Sequence, residues 1–329
     1  MDGHEDGGED SGSLLKTPRV SVVVATWNRS EVLKHAIRSV LASTFTDWEM
    51  IVVGDACTDD TEERVASFGD PRIRFVNLPR NSGGQSAPNN HGITLARGDY
   101  VAFLNHDDFY LPDHLTACVA ELDRGEADLV WVAAAVAHAS PRTAHPLTFA
   151  LEGVPPAGGY SPFAFYSAST WMFKRELAGS VGRWKEASSL YVTPSQDWLF
   201  RAWRSGARLR FLSRVGVVVI WSGVRPGSYA IRESPDHELL ARWMREDAGF
   251  PSRMLENAAI DAAQTAISTR HHAPGGAIAR LLARPVYNLL IVLGIHPSSL
   301  GMFIRHGRKG GFIRHHRRFT GIEQPTRQR

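Results

Sequence analysis

The first hundred residues alternate between strongly apolar and amphipathic segments, and this alternation constrains the fold more than any other feature. The segments "RVSVVVA" (19–25), "WEMIVVG" (48–54) and "YVAFL" (100–104) are apolar at most positions and rich in β-branched residues, which predicts strands buried on both faces. Between the first two, "SEVLKHAIRSVLAS" (30–43) has apolar residues at helical spacing, with Ser30 as its expected N-cap. This order predicts an α/β fold, a mainly parallel sheet covered by helices.

The same patterns continue along the chain, although the alternation loosens after residue 128. Further predicted strands are 72–76, 128–135, 168–173 and 208–219, and further predicted helices are 59–68, 88–97, 195–205, 235–266 and 275–294. The basic segment after Gly307 is expected to be loosely ordered.

Charge divides the chain into three parts. The start is acidic and Gly-rich, which predicts a solvated tail over residues 1–17 and differs from the basic, apolar pattern of a signal peptide. From Arg270 onward the chain has 11 Lys and Arg residues and one acid, a formal charge of +10. Because the whole chain has a net charge of +3, the preceding residues carry a formal charge of 3 − 10 = −7. Together with the strand and helix pattern above, this charge distribution leads us to expect an α/β domain over 18–233 and a helical extension with a basic tail over 234–329.

Cysteine usage and hydropathy bear on the compartment. Cys57 and Cys118 are too few for a disulfide framework, which predicts a reducing, cytoplasmic location. Residues 285–304 carry no formal charge, but the apolar run itself covers only 286–295 before a His-Pro pair ends it. A surface-lying or core-packed helix is therefore expected in place of a transmembrane one.

Polar side chains follow three of the predicted strands. In parallel sheets ligands bind beyond the carboxyl ends of the strands, so these side chains are expected at one ligand-binding edge. An unpaired buried carboxylate is costly, which also favours a ligand or a cation there. The residues are Thr26, Asn28 and Arg29 after the first strand, Asp55 after the second, and Asp107 and Asp108 in "FLNHDD" (103–108).

Five segments, in order, resemble the family 2, GT-A type inverting glycosyltransferases, and the resemblance covers roughly residues 18–225. They are "PRVSVVVATWNR" (18–29), "GDACTDDT" (54–61), "NSGGQSAPNNHGITLARGDYVAFLNHDD" (81–108), "VGRW" (181–184) and "SQDWLF" (195–200).

The resemblance implies a nucleotide-sugar donor and a divalent cofactor, Mg²⁺ or Mn²⁺. Asp107 stands at the position of the metal-binding aspartate, and such ions prefer hard oxygen ligands. Asn105 replaces the family's first aspartate, which contacts the nucleotide ribose, so the strength of the metal dependence is open. Asp55 resembles the residue that accepts a hydrogen bond from the base, which favours UDP or dTDP.

The resemblance also assigns the remaining donor contacts and the base. Thr26, Asn28 and Arg29 are implied to line the base and ribose pocket. Asn89 falls where the family often has an arginine near the diphosphate, a cation that Arg29 or Arg225 would replace. Asp197 matches the catalytic base, with Gln196 in place of the usual glutamate, and residues 219–232 are expected to form a lid over the diphosphate.

Alternatives remain for several of these residues. Asp107 and Asp108 also suit the N-cap of a following helix, His106 suits a solvent-facing position, and Asp55 suits a turn before the next helix. Asp197 suits the first turn of an ordinary amphipathic helix. A dinucleotide-binding dehydrogenase is excluded because "TWNRS" follows the first strand in place of a Gly-rich fingerprint.

The alternative function is a non-catalytic nucleotide-sugar-binding or assembly protein on the same fold. It is favoured by Asn89, Asn105 and Gln196, which all replace charged residues of the family. For an enzyme, the acceptor is expected to be a saccharide or a lipid-linked molecule. Loops 136–170 and 220–235, which would choose sugar and linkage, match the family least.

The extension combines an apolar body with a basic flank. Residues 276–318 therefore suit peripheral contact with the inner face of an anionic membrane, and equally a cover for the core or a site for a partner protein. Nucleic acid is not an expected partner, because few aromatic residues accompany the positive charge.

Overall fold

The computed structural model describes residues 17–139, 147–156, 159–220, 234–271 and 285–320. The strands are β1 (Val20–Thr26), β2 (Trp48–Gly54), β3 (Ile73–Asn77), β4 (Tyr100–Phe103), β5 (Phe109–Tyr110), β6 (Leu129–Ala139), β7 (Leu147–Glu152), β8 (Trp171–Lys174) and β9 (Leu209–Ile220). The helices are α1 (Ser30–Leu41), α2 (Thr61–Ala66), α3 (Ser86–Leu95), α4 (His114–Asp123), α5 (Arg175–Val181), α6 (Pro194–Arg204), α7 (Pro235–Glu246), α8 (Phe250–His271), α9 (285–292), α10 (Ser298–His306) and α11 (Gly311–Thr320).

Within the described residues the strands form one sheet of order β3-β2-β1-β4-β8-β6-β9-β5, and β7 pairs with β6. β1 pairs in parallel with β2 and β4, and β2 pairs in parallel with β3, as the alternation predicts. The second half is mixed: β8 is antiparallel to β4 and β6, while β9 is parallel to β6. The predicted α/β sheet covered by helices is confirmed, with consecutive parallel pairing in β3-β2-β1-β4 and mixed pairing in the rest.

Register brings the polar strand ends to one edge. Val23 of β1 lies opposite both Ile51 of β2 and Phe103 of β4. Because the three strands run in the same direction, the segments that follow them emerge at the same edge of the sheet. This edge carries the polar residues that follow β1, β2 and β4.

The core lies on both faces of the sheet, because successive side chains of a strand point to opposite faces. Val22 and Val24 pack with α1, α2 and α4, whereas Val23 packs with α3, α5 and α6. Helices α7 and α8 cover β6, β7 and β9, with Leu240 fully buried and Trp243 packed beside it.

Three tryptophans hold α6 against the sheet. Trp171 of β8 stacks on Trp198 of α6 at a ring-centroid distance of 5.9 Å, and Trp184 stacks on Trp198 at 6.2 Å. All three are buried. Truncating one such side chain to alanine typically costs about 3–5 kcal/mol of unfolding free energy, so this cluster fixes the start of α6 firmly.

Two expectations about helix ends are wrong. α1 begins at Ser30, and the N-cap is Arg29 without a side-chain cap. The Ser30 hydroxyl instead donates to Oδ1 of Asp60 at 2.6 Å, a tertiary contact that no local pattern encodes. The single helix expected over 235–266 is two helices, α7 and α8.

The basic segment after Gly307 is ordered as α11 up to Thr320, which corrects the expectation of a loose tail. Its Arg317 and Thr320 are buried against the rest of the protein, and this packing stabilises a helix that its charges disfavour. Among the described residues, none of the helices combines the length and apolarity that crossing a bilayer requires.

Candidate functional site

Asp55, directly after β2, is 4% exposed and shapes the loop that follows β3. Its Oδ1 accepts the backbone N–H of Ser82 at 2.8 Å, and its Oδ2 accepts that of Gly83 at 2.9 Å. Its own carbonyl accepts from Nδ2 of Asn81 at 2.7 Å. A carboxylate has further lone pairs, so Asp55 retains acceptor capacity for a ligand N–H.

The loop after β1 is tied to the loop after β2 by Asn28. Its backbone is left-handed, with φ of 48°, and its side-chain oxygen accepts the N–H groups of Thr58 at 2.8 Å and Asp59 at 3.3 Å. The neighbouring Arg29 is buried. Asn28 therefore holds the loops after β1 and β2 together through its amide, and its contact with a ribose stays a prediction.

Asn105, Asp107 and Asp108 follow β4 and differ sharply in environment. Asp108 is 1% exposed, and its Oδ2 accepts from Oγ of Ser169 at 2.5 Å and from Nδ2 of Asn105 at 2.8 Å. Asp107 is partly exposed. The two adjacent carboxylates therefore have distinct surroundings, one facing the interior and one at the sheet edge.

Burial, followed by the charge of Asp107, raises the pKa of Asp108 well above its usual range. A neutral Asp108 suits a structural role in which it binds Ser169 and Asn105. The N-cap alternative for this pair is wrong, since α4 begins at His114 with Asp113 as its N-cap. The Asn105 amide is used within the protein, so its proposed ribose contact stays a prediction.

Two histidines pack around the Asp107 loop. His106 is partly buried with Nδ1 3.3 Å from the carbonyl of Ala25, which corrects the solvent-facing alternative, and burial lowers its pKa. His237 of α7 is 1% exposed and donates from Nε2 to the carbonyl of Asp107. Burial lowers the pKa of His237 to about 4, so the ring is neutral near pH 7.

Asp197 lies in the first turn of α6, after the N-cap Thr193, and is 8% exposed. Its Oδ2 accepts from Nε of Arg201 at 2.8 Å. Its Oδ1 lies 3.6 Å from Nζ of Lys185, a side chain that is 52% exposed. One carboxylate oxygen is thus firmly held, and the other faces an exposed, weakly held cation.

α3 positions the segment that carries Lys185. Asn90 accepts the N–H of Trp184 at 2.8 Å and donates to its carbonyl at 2.9 Å, while Ser86 donates to the carbonyl of Lys185 at 2.9 Å. Asn89, expected near a diphosphate, is only 3% exposed in the same helix. Its role at the donor stays a prediction.

Sequence reasoning missed two ionisable residues near these carboxylates. His296, just before α10, is buried, and burial lowers its pKa to about 4 while the charge of Asp197 acts to raise it. Glu152, at the end of β7, accepts the backbone N–H of Ser167, and burial raises its pKa to about 7. No motif marked either residue, since each reaches the site only through tertiary packing.

The C-terminal helix α11 also reaches this edge, which the sequence did not indicate. Nη1 of Arg317 donates to the carbonyl of Gly83 at 2.6 Å. Burial lowers the pKa of the preceding His316, while the charge of Asp107 acts to raise it. α11 therefore lies close to both the Asp55 and the Asp107 loops.

Strand order and intervening side-chain contacts connect the segments that carry the predicted residues. Asp55 and Asp107 follow strands that flank β1. Ser169, bonded to Asp108, lies two positions before Trp171, which stacks on Trp198 beside Asp197. The expected lid over 219–232 with Arg225 lies outside the described residues beyond Ile220.

A divalent metal fits this edge only if a bound ligand completes its coordination shell. Among the described residues no group of three or more His, Cys, Asp or Glu side chains could hold a metal ion. Mg²⁺ typically takes one or two protein carboxylates and completes its shell with phosphate oxygens and water. The partly exposed Asp107 suits an ion held jointly with a diphosphate, and it does not suit one held by the protein alone.

Comparison with solved structures shows the fold. A structure of S. aureus TarS 1–349 in complex with UDP-GlcNAc matches 70% of this chain and 67% of that chain, with a TM-score of 0.52 and 20% identity. The complex of the same protein with UDP gives a TM-score of 0.51 at 19% identity. The mixed sheet and surrounding helices therefore form a GT-A fold.

Sequence comparison adds the family. The model of Glycosyl transferase family 2 matches residues 21–182, and this segment of the chain belongs to that family. The chain is 36% identical over 109 residues to the "Putative colanic acid biosynthesis glycosyl transferase WcaA" of Escherichia coli K12. It is 39% identical over 117 residues to the "Succinoglycan biosynthesis protein ExoO" of Rhizobium meliloti.

These alignments cover 32% and 36% of this chain and span only 39% and 33% of the two relatives' own lengths. The segment that the family model matches contains the Asp55 and Asp107 loops. α6 with Asp197 and the helices from α7 onward lie beyond the segment that the family model matches.

Proposed function

We propose that this chain is an inverting glycosyltransferase that transfers one sugar from a UDP or dTDP donor to a hydroxyl group of a saccharide or lipid-linked acceptor. The observation that carries the proposal is the placement of Asp55 and Asp107 at one sheet edge within a family 2 segment of GT-A fold. The names of the bacterial relatives and the UDP-GlcNAc bound to TarS support a nucleotide-sugar donor.

The donor nucleotide would bind along the loops after β1, β2 and β3. The Asp55 carboxylate, fixed by the N–H groups of Ser82 and Gly83, would accept a ring N–H of the base. Thr26, Asn28 and Arg29 would form the neighbouring wall. A carboxylate that reads a ring N–H favours uracil or thymine as the base.

Asp107 would hold Mg²⁺ or Mn²⁺ together with the donor diphosphate. The bound ion would supply Lewis-acid stabilisation of the charge that develops on the leaving nucleotide. His237 fixes the backbone of Asp107 by donating to its carbonyl. The next residue, Asp108, is anchored by its contact with Ser169 in the interior. The protein thereby presents one carboxylate in a defined position without closing the ligand shell.

Asp197 would act as the general base. Inversion requires the acceptor hydroxyl to attack opposite the leaving nucleotide, and a carboxylate within hydrogen-bond reach removes its proton. Arg201 holds Oδ2, so Oδ1 is the atom that would accept the proton. The hydroxyl would replace Lys185, whose 3.6 Å contact and 52% exposure make it the weaker partner.

The test compares wild type with Asp197→Asn, with Asp261→Asn on α8 as the matched control. The assay measures UDP release from UDP-GlcNAc and UDP-glucose with Mn²⁺ or Mg²⁺, beside UDP binding by calorimetry. Asp197→Asn should lower turnover by about 10²- to 10⁴-fold and leave UDP binding near wild type, while Asp261→Asn should leave both unchanged. A wild type that binds UDP and turns over neither donor, with or without added saccharide acceptors, would favour the non-catalytic binding protein.

The apolar surface of α9 and α10 suits contact with an anionic membrane, which would place the enzyme beside lipid-linked acceptors. Exposed apolar side chains here include Leu289, Val292, Leu293 and Ile304, and Val292 and Ile304 are 73% and 75% exposed. Basic residues follow in Arg305, Arg308 and Lys309. Apolar insertion and attraction to anionic headgroups would then act together.

A further inference from the structure

Helix α11 spans the sheet edge between the two halves of the candidate site. At its start the N–H of Gly310 donates to the carbonyl of Leu190 at 2.7 Å, in the segment that leads into α6. Phe312 and Ile313 line a small cavity with residues 190–194. Near its end Arg317 donates to the carbonyl of Gly83, beside Asp55. The helix thus joins the segment before Asp197 to the loop that Asp55 holds.

Gly83 is the residue on which Asp55 and Arg317 meet. Its N–H donates to Oδ2 of Asp55 at 2.9 Å and its carbonyl accepts from Nη1 of Arg317 at 2.6 Å. Its φ of +80° favours glycine, and a Cβ at this position would overlap the Arg317 guanidinium. The close approach of α11 therefore depends on a glycine here.

Arg317 is buried, which is unusual for an arginine of a basic helix. It is 8% exposed, whereas the neighbouring Arg318 on the same helix is exposed. Burial lowers the pKa of Arg317, and the charge of Asp55 opposes that shift. The protein therefore bears a desolvation cost to hold a guanidinium donor next to the Asp55 acceptor.

An acceptor beside a donor matches the edge of one class of base. Uracil and thymine present a ring N–H flanked by two carbonyl oxygens, which requires an acceptor flanked by donors. Cytosine presents an exocyclic amino donor and a ring nitrogen acceptor at the corresponding atoms, which opposes this order. A guanidinium donor beside the Asp55 acceptor therefore fits the edge of uracil or thymine and not that of cytosine.

We propose that Arg317 is a specificity-determining residue of the donor site, which donates to a carbonyl oxygen of the pyrimidine base whose ring N–H is read by Asp55. The inference rests on the proposed function, because it takes the Asp55 edge to be the donor site. It extends that site to a helix about 130 residues beyond the segment that belongs to family 2.

The test measures binding of UDP and CDP to the full chain by titration calorimetry in the presence of Mg²⁺. The variants are Arg317→Met, which keeps the length of the side chain and removes its donors, Arg317→Lys, which keeps a cation, and Arg318→Met as the exposed control. Thermal unfolding of each variant without ligand checks that the fold is retained. If Arg317→Met unfolds, Arg317→Lys carries the comparison.

Wild type should bind UDP at least ~10-fold more tightly than CDP, since a hydrogen bond from a charged donor typically changes affinity by ~10- to 100-fold. Arg317→Met should lose ~10-fold or more in UDP affinity and less than ~3-fold in CDP affinity. Arg317→Lys should lose part of the UDP preference, and Arg318→Met should match wild type.

Three outcomes would overturn the inference while leaving the proposed function standing. The first is an unchanged UDP affinity in Arg317→Met. The second is tighter UDP binding by this variant, which would mean that Arg317 occupies the position of the base. The third is an equal loss of affinity for UDP and CDP, which would mean that Arg317 acts as an unselective cation. If wild type binds no nucleoside diphosphate, the proposed function fails and the inference fails with it.

Discussion

His237 donates from Nε2 to the backbone carbonyl of Asp107 at 3.0 Å, across 130 positions of the chain. A carbonyl can only accept, so Nε2 carries the hydrogen and Nδ1 accepts from Oγ of Ser234 at 2.6 Å. α7, which lies beyond the family 2 segment, therefore orients the loop that carries the proposed metal ligand.

Replacing His237 with leucine should leave the Asp107 carbonyl without its donor. We expect a loss of about 1–3 kcal/mol of unfolding free energy, the usual cost of an unsatisfied buried group. We also expect weaker UDP binding with Mg²⁺ and little change in EDTA, because only the metal depends on the position of Asp107. Urea unfolding and UDP titration in both conditions measure the two effects, with His315→Leu on the exposed face of α11 as control. An equal loss of UDP affinity with Mg²⁺ and in EDTA would contradict a role of His237 in positioning the metal ligand.

Arg201 and Lys185 should contribute differently to the site, although both face Asp197. Arg201 also donates to the carbonyls of Val181 and Arg183, so Arg201→Met should lower both turnover and the unfolding free energy, the latter by about 1–3 kcal/mol. Lys185→Met should change stability by less than about 0.5 kcal/mol and retain turnover. Donor turnover and urea unfolding of the pair provide the measurement. Loss of turnover in Lys185→Met alone would assign the positioning role to Lys185.

The buried imidazole of His114 should make the protein less stable in acid. Burial lowers its pKa from 6.5 to about 3, and among the described residues its Nε2 has no hydrogen-bond partner. Below pH 6.5 the unfolded chain takes up a proton that the folded chain does not, so stability is lost as the pH falls toward 3. His114→Phe should therefore gain stability relative to wild type by about 1.4 kcal/mol per pH unit below 6.5. Urea unfolding at pH 7 and pH 5 tests this, and a constant difference would contradict it.

Glu152 should show the opposite dependence. Burial raises its pKa from 4.5 to about 7, so its neutral form favours folding at low pH and this contribution is lost as the pH rises through 7. Glu152→Gln, which stays neutral, should gain relative to wild type by about 1.4 kcal/mol per pH unit between 4.5 and 7. The exposed Glu62→Gln should show no such trend. Urea unfolding at pH 5 and pH 8 distinguishes the two, and parallel behaviour would refute the burial argument.

Vesicle binding tests the membrane proposal. The full chain should sediment with vesicles that contain phosphatidylglycerol and not with pure phosphatidylcholine, and binding should fall with added salt, because charges near a membrane are screened over about 8–10 Å. Leu293→Gln with Ile304→Gln should weaken binding, whereas Leu255→Gln with Ile260→Gln on α8 should not. The α8 pair is also exposed, which makes it a matched control. Salt-independent binding, or equal loss in both pairs, would contradict this surface.

Much of the fold and part of the site could be predicted from the sequence, because both are encoded locally. The apolar runs that form β1, β2 and β4 and the helices between them are local patterns, and the polar residues that end these strands are adjacent in sequence. Asp55 and Asp107 were therefore found at the expected edge of the sheet. The amphipathic pattern of α6 likewise predicted that Asp197 would lie in the first turn of a helix.

The partners of these residues could not be predicted, since each contact joins distant positions. Asp108 was an expected helix cap and is instead a buried carboxyl that binds Ser169, 61 positions away. Ser30 was an expected cap and instead binds Asp60, because the loops after β1 and β2 meet. His296 and Glu152 carry no local signal, and only their burial gives them shifted pKa values.

The basic C-terminal segment shows most clearly the difference between what the local sequence predicts and what tertiary packing decides. By composition alone the segment after Gly307 is expected to be a charged, loosely ordered tail. In the structure it forms α11, which packs where Gly83 leaves room for Arg317, and the Arg317 guanidinium donates to a carbonyl 234 positions earlier in the chain. The sequence by itself determined the strands, the helices and the residues at the strand ends, since these depend on short-range periodicity. Only the tertiary structure decided which side chains meet at the sheet edge, since burial and pairing there depend on segments that are remote in sequence.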